Sequence, residues 1–332
     1  MEQTRRWRWG VNRWFVLLFI ILGAIGASLY PPIQPHVQLP AEALTGPIIG
    51  SFRLTNTIVA MLIADVILLV LGFGVYRATR GGDLVLGGFS GALEALLEGL
   101  YNLAESTAGK WARTIFPLMA TIVLLVLIGN WMELIPGVDS IGLLHHEVEG
   151  FPTQEVLPGV ETIVKPEAEG VGGGEAEGEG AIVVPFVRVV STDLNFTLAL
   201  ALIAVVATQW IGFKAQGASY LTKFFNTRTL FSKPIFGVID FGVGLLELVS
   251  EISKVLSFSF RLFGNIFAGS VLLFVIGSLV PVFAQSVFLM LEFFVGIIQA
   301  IVFGMLTLVF MSQATQAHGG EEHAEHAAAG GL

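Results

Sequence analysis

The 332-residue chain has no cysteine, which excludes disulfides and thiol chemistry. Charge is scarce at 13 % of residues, while 54 % are apolar and the mean hydropathy is strongly positive. That composition belongs to an integral membrane protein, and it leaves no basic face for nucleic acid. The net charge of −9 does not describe an acidic binding surface, because the excess of acid is concentrated in one loop. No phosphate-cradling GxxxxGK[ST] loop occurs, so phosphoryl chemistry is not expected of this chain.

The chain does contain a series of apolar runs separated by charged punctuation. Residues 1–30 hold Arg5, Arg6, Arg8 and Arg13 ahead of the apolar segment 14–30, which reads either as a signal peptide or as a first membrane helix. The segment 31–135 begins with a proline-rich outside stretch, in which His36 reads as a solvated loop residue. A span at 55–76 comes next, stopped by Arg77 and Arg80, with Asp65 near its middle. Residues 90–110 repeat Leu93, Leu96, Leu97, Leu100 and Tyr101 against Glu94, Glu98 and Glu105, the pattern of an amphipathic helix on the cytoplasmic membrane surface. The next span, 115–135, ends in Glu133 and, shortly after, Asp139.

Residues 136–192 read as an extracytoplasmic, acidic, glycine-rich loop, with the run Glu167–Gly180 too polar to fold alone. Its His145 and His146 adjoin Glu147 and Glu149, and a solvated loop is a simpler reading than a metal site. Asp193 and Asn195 open the next span as a helix cap, or alternatively as part of an ion-access path. Lys214, Lys223, Arg228 and Lys233 make the adjoining loop cytoplasmic, and with Lys110 and Arg113 they satisfy the positive-inside rule against only Arg53, Lys165 and Arg188 outside. Two very long apolar stretches, 236–280 and 281–311, complete a channel-like segment 193–316. Each exceeds the ~30 Å hydrocarbon thickness, so strong tilt or bending is required. The tail 317–332, with His318, His323 and His326, reads as disordered and cytoplasmic.

The fold class is therefore an all-α integral membrane protein, with five to six membrane helices, one cytoplasmic amphipathic helix and two long, strongly tilted last helices. One stretch organises the rest: Glu247, Glu251, Lys254, Arg261 and Asn265 share a broad helical stripe inside an apolar run. Arginine keeps its proton at any accessible pH, and at the centre of a membrane helix it costs roughly 2.5–3.5 kcal/mol. Such a stripe needs a protein partner or water. For Glu251 and Lys254, a solvated helix start with i,i+3 pairing is an equal alternative.

The sequence SFRLFGNIFAGS, followed by LEFFVGIIQAIVFGMLTLVFMS, resembles the last two helices of subunit a of the rotary F-type ATP synthase. The resemblance covers about residues 37–316. It implies that Arg261 is the essential arginine, that Asn265, Gln299 and Glu247 occupy functional positions, and that the last helices curve around a ring of c subunits. The usual acid or histidine nine residues after the arginine is Ser270 here, whereas its partner on the last helix is Glu292. One titratable group of that pair is thus absent, leaving Glu292 to carry the proton. Glu251 lies on the same stripe as the arginine. The resemblance also places acids such as Glu133 and Asp139 at an outer mouth, with Asp193 as a further candidate there.

The resemblance further implies a stator channel in a bacterial inner membrane with its C-terminus in the cytoplasm. Protons would pass through two offset half-channels to and from c-ring carboxylates, coupling flow to rotation and ATP synthesis. Its partners would be the c-ring, the peripheral stalk b subunits, the catalytic head indirectly, and the lipid bilayer. The chain itself would be non-catalytic, with no cofactor and no metal. A self-contained secondary transporter is the alternative, although no internal repeat supports it. A structural anchor in a respiratory complex is another, although it would not need an arginine and acids on aligned faces.

Overall fold

The structure, a computed structural model, describes residues 9–29, 40–47, 53–80, 88–135, 137–147, 151–163, 180–224, 234–279 and 283–316. Arg5, His36, Glu149, most of the acidic glycine-rich run, Arg228, Lys233 and the histidine-bearing tail lie outside the described residues.

Helices dominate. In chain order they are α1 (Trp9–Leu29), α2 (Asn56–Thr79), α3 (Gly88–Ala108), α4 (Ala112–Trp131), α5 (Leu194–Gln216), α6 (Pro234–Leu279) and α7 (Phe283–Thr315). Five helical stretches among the described residues are long and apolar enough to cross a membrane, the second of them joining α3 and α4 through a 3₁₀ turn. With 46 residues, α6 extends about 69 Å at 1.5 Å per residue, so it must tilt, curve or protrude from a bilayer. Large apolar side chains such as Leu69, Phe73 and Trp210 stand exposed, as lipid-facing residues do.

The loop 136–192 departs from the flexible segment expected. Strands β1 (Gly142–Glu147), β2 (Thr153–Leu157), β3 (Val160–Ile163) and β4 (Gly180–Pro185) form two antiparallel ribbons, β1 with β4 and β2 with β3. The β2–β3 turn is made by Pro158 and Gly159, the latter with φ +81°, a conformation that glycine adopts without strain. In β4, Ala181, Ile182 and Val184 are buried, so this ribbon has a covered face. Gly142 lies so close to the Val184 backbone that a Cβ would collide with it.

The chain groups into two compact units. One comprises Met1–Met61, Asn130–Thr192 and Asn265–Gly296; the other comprises Leu62–Gly129, Asp193–Gly264 and Ile297–Leu332. In the first, residues 40–47 are laced to the start of α2. Leu44 N–H donates to the Leu54 carbonyl at 2.8 Å, and fully buried Asn56 donates from Nδ2 to Glu42 at 3.2 Å. In the second, small residues allow close helix approach: Gly304 faces Val123 and leaves no room for a methyl group. Gln216 Nε2 donates to the Ala314 and Gln316 carbonyls at 2.9 and 2.6 Å, satisfying acceptors that the end of α7 leaves open. Asp193 caps α5, its Oδ1 accepting from the Asn195 N–H at 2.9 Å.

Candidate functional site

In the first unit, three side chains from separate segments converge. Glu133 comes from the 3₁₀ turn Met132–Leu134 that ends α4, Ser270 from α6 and Glu292 from α7. They are 8 %, 8 % and 7 % exposed, a degree of burial that carboxylates tolerate only with partners. The Ser270 hydroxyl and the Glu292 carboxylate are both near enough to Glu133 to act on it electrostatically. Ser270 Oγ also lies 3.1 Å from the Ile266 carbonyl, to which it donates. A hydroxyl has one proton and two lone pairs. Ser270 therefore suits both states of Glu133: it accepts from the carboxylic acid while donating to Ile266, or turns to donate to the carboxylate. Glu133 Oε2 and Glu292 Oε1 are buried with no hydrogen-bond partner among the described residues, so each has capacity for a proton or a water.

The Glu292 carboxyl rests on Gly269, where a Cβ would collide with both of its oxygens. A cavity of about 300 Å³ opens beside Glu133, bordered also by Asp139, Gln285, Leu273, Phe274 and Leu289. Gly137, at φ +91°, turns the backbone between the two acids. Burial pushes the Asp139 carboxyl up to about 6, with the Arg188 guanidinium working in the opposite direction. Arg188 Nη1 also donates to the Pro40 carbonyl at 3.1 Å.

Residues that sequence reasoning passed over hold this arrangement. Trp131 stacks on Phe293 at 4.9 Å with 12° between the rings, and its Nε1–H donates to the Phe293 carbonyl at 3.3 Å. Ser191 Oγ donates to Asn130 Oδ1 at 2.6 Å, and Asn130 Nδ2 reaches the Gly296 carbonyl at 3.5 Å. Trp131 precedes Glu133 by two residues and Phe293 follows Glu292 by one. The contact thus ties together the backbone segments that carry the two acids. The signal available in the sequence was only the adjacency of Asn130 and Trp131 to Glu133.

The second unit contains Glu247, Glu251, Lys254, Arg261, Gln299 and Asp193. Lys254 Nζ pairs with Glu251 Oε1 at 2.8 Å and sits 4.8 Å from the Phe310 ring centroid. The i,i+3 pair is present, yet Glu251 is 7 % exposed, so this is not a solvated helix start. Glu247 and Gln299 are half-buried, and Asp193 is buried at its cap. Arg261 is exposed, with Nη2 donating to Ser257 Oγ at 3.3 Å, and among the described residues no carboxylate pairs with it. On the same helix, Ser253, Ser257 and Gly264 are small and exposed. Asn265, which belongs to the first unit, is exposed as well.

A family model described as ATP synthase A chain matches residues 58–312. The chain belongs to the ATP synthase A chain family. The proteins to which it is similar include ATP synthase subunit a of Syntrophobacter fumaroxidans, 26 % identical over 233 residues, or 70 % of this chain and 71 % of that protein. The same-named protein of Aliarcobacter butzleri is 28 % identical over 186 residues, 55 % of this chain and 57 % of its own length. That of Campylobacter jejuni is 30 % identical over 187 residues, 55 % and 58 % respectively. Against the latter two, the chain spans less than two thirds of the relative. Family membership and five apolar spans make this a multi-pass membrane protein of the ion-transport machinery for ATP synthesis. The matched region contains Glu133, Asp139, Asp193, Glu247, Glu251, Arg261, Asn265, Ser270, Glu292 and Gln299.

Proposed function

We propose that this chain is the non-catalytic stator channel of a bacterial ATP synthase, carrying protons to and from carboxylates on a ring of c subunits. The observation that carries the reading is the meeting of Glu133, Ser270 and Glu292 beside an acid-bordered cavity, in a chain of this family. A proton enters from outside past Asp139, is taken up at Glu133 and passes through the Ser270 hydroxyl and water to Glu292. From Glu292 it neutralises the carboxylate of an arriving c subunit. A neutral acid is far cheaper in lipid than its anion, so the ring is free to turn. Glu133 supplies the second titratable group that Ser270 does not.

After nearly a full turn, the acid loses its proton to an inner path lined by Glu247 and by the Glu251–Lys254 pair. Arg261, with no carboxylate partner among the described residues, offers its charge to the ring carboxylate and repels protons that would cross without rotation. Asn265 and Gln299 take the positions that accompany the arginine in the family pattern, while Asp193 is the structural cap of α5. Each charge crossing 100 mV contributes roughly 2.3 kcal/mol, so several protons accompany each ATP made in the catalytic head. On the positive-inside distribution of arginine and lysine, the C-terminus is cytoplasmic and α3 lies on the same side, toward the stalk b subunits.

The test is Arg261→Ala in the assembled complex, scoring ATP-driven pumping and, after the head is stripped, passive proton leak. Lost pumping with surviving or increased leak is the expected result. Pumping near wild-type level would overturn the proposal.

A further inference from the structure

Helix α2 carries an acid that nothing among the described residues answers. Asp65 is the tenth residue of the apolar span Asn56–Arg77, about 14 Å from its first residue and so near the middle of a bilayer. Among the described residues it forms no hydrogen bond and no ion pair. The helix packs on its own chain through a narrow stripe, in which Asn56, Ala60 and Ala64 are fully buried at four-residue spacing. Asp65 stands half-buried at the edge of that stripe, and only 11 % of the span's apolar window is covered.

The face beyond Asp65 contains exposed Met61, Leu62 and Leu69. Gly72, seven residues on and therefore nearly in line, is also exposed, with nothing within 4 Å of where a Cβ would stand. Lipid tails offer a carboxyl no donor, and they gain nothing from a glycine notch. A neighbouring helix gains from both, because small residues admit close backbone approach and polar ones bond across the interface. A second copy of this chain using the same face would set carboxyl against carboxyl.

We infer that the Asp65–Gly72 face of α2 is the docking surface for a membrane helix of a different chain, which presents a hydrogen-bond-donating side chain to Asp65. This assignment does not depend on the channel reading, since it concerns a helix face and a carboxyl that the proton path does not use.

The chain has no cysteine, so a single introduced one is unique. Leu62→Cys and Leu69→Cys flank the face, while Ile63→Cys, about 160° around the helix from Asp65, is an exposed control. Host membranes containing the intact assembly are labelled with benzophenone maleimide, irradiated and analysed by mass spectrometry. Leu62→Cys and Leu69→Cys are expected to join a different membrane protein through a helix bearing a donor side chain, and Ile63→Cys to join lipid. At matched chain amounts, Asp65→Leu and Asp65→Ala should each lower the protein adduct by about fivefold or more, the effect of losing an interhelical hydrogen bond. Asp65→Asn, which still accepts, should keep most of it. Adducts to lipid alone or to a second copy, equal yield from Ile63→Cys, or a yield indifferent to Asp65 would each overturn the assignment.

Discussion

Glu292 lies against the bare Cα of Gly269, so the placement of its carboxyl depends on the absence of one methyl group on the facing helix. Gly269→Ala should push the carboxyl away from the Ser270–Glu133 pair without removing any titratable group. Misplacement by about 1 Å can cost a reaction on the order of 10²-fold, and proton transfer is at least as sensitive to distance. We expect proton flux through the stripped complex to fall by about tenfold or more at unchanged chain level. Flux equal to wild type would show that Glu292 does not work from this position.

The proposal that Glu133 supplies the titratable group absent at Ser270 can be tested by reversal. Glu133→Gln should depress ATP-driven pumping strongly, because an amide does not release a proton in the working range. Adding Ser270→Glu to that variant should restore part of the activity, since it returns a carboxyl to the same buried site. A double variant no better than the single one would argue that Glu133 acts elsewhere.

Trp131 contributes both ring stacking and one hydrogen bond to Phe293. Trp131→Phe keeps a ring and loses the donor, which should cost about 0.5–1.5 kcal/mol. The more informative readout is the pH profile of proton flux. A loosened tie between the Glu133 and Glu292 segments should shift that profile, whereas a purely structural loss would lower flux equally at every pH.

Asp139 gives a signed pH dependence. Its carboxyl is raised from 3.8 to about 6 in the folded protein, so the fold binds that proton more tightly than the unfolded chain does. Ionisation is then a penalty on folding that grows as pH rises from about 4 and is complete above about 6, amounting to roughly 2–3 kcal/mol at most. Asp139→Asn should remove this dependence. In thermal unfolding of the purified protein, the variant should gain relative to wild type at pH 7.5 and show little difference at pH 4. A constant difference across that range would contradict the assignment.

Much of the architecture was legible because hydropathy acts locally. The spans at 55–76, 115–135, 236–280 and 281–311 appear as α2, α4, α6 and α7 within a few residues, and Asp193 was recognisable as a cap from its place before an apolar run. The ribbons of the 136–192 loop were missed although Pro158–Gly159 is a turn signal between two short β-prone runs. The weight given to the acidic run masked it.

The sequence by itself determined a membrane protein of the A chain family, with Arg261 on a long apolar helix, because composition, periodicity and a contiguous motif survive without any knowledge of contacts. Only the tertiary structure decided that Glu133, 137 residues before Ser270, shares its site, that Glu251 and Lys254 turn inward as a pair, and that Arg261 stays uncovered. Such pairings depend on which helix faces which, and on notches such as Gly269 that admit a neighbour. A pattern read along one chain segment holds no information about the side chain that another segment brings against it.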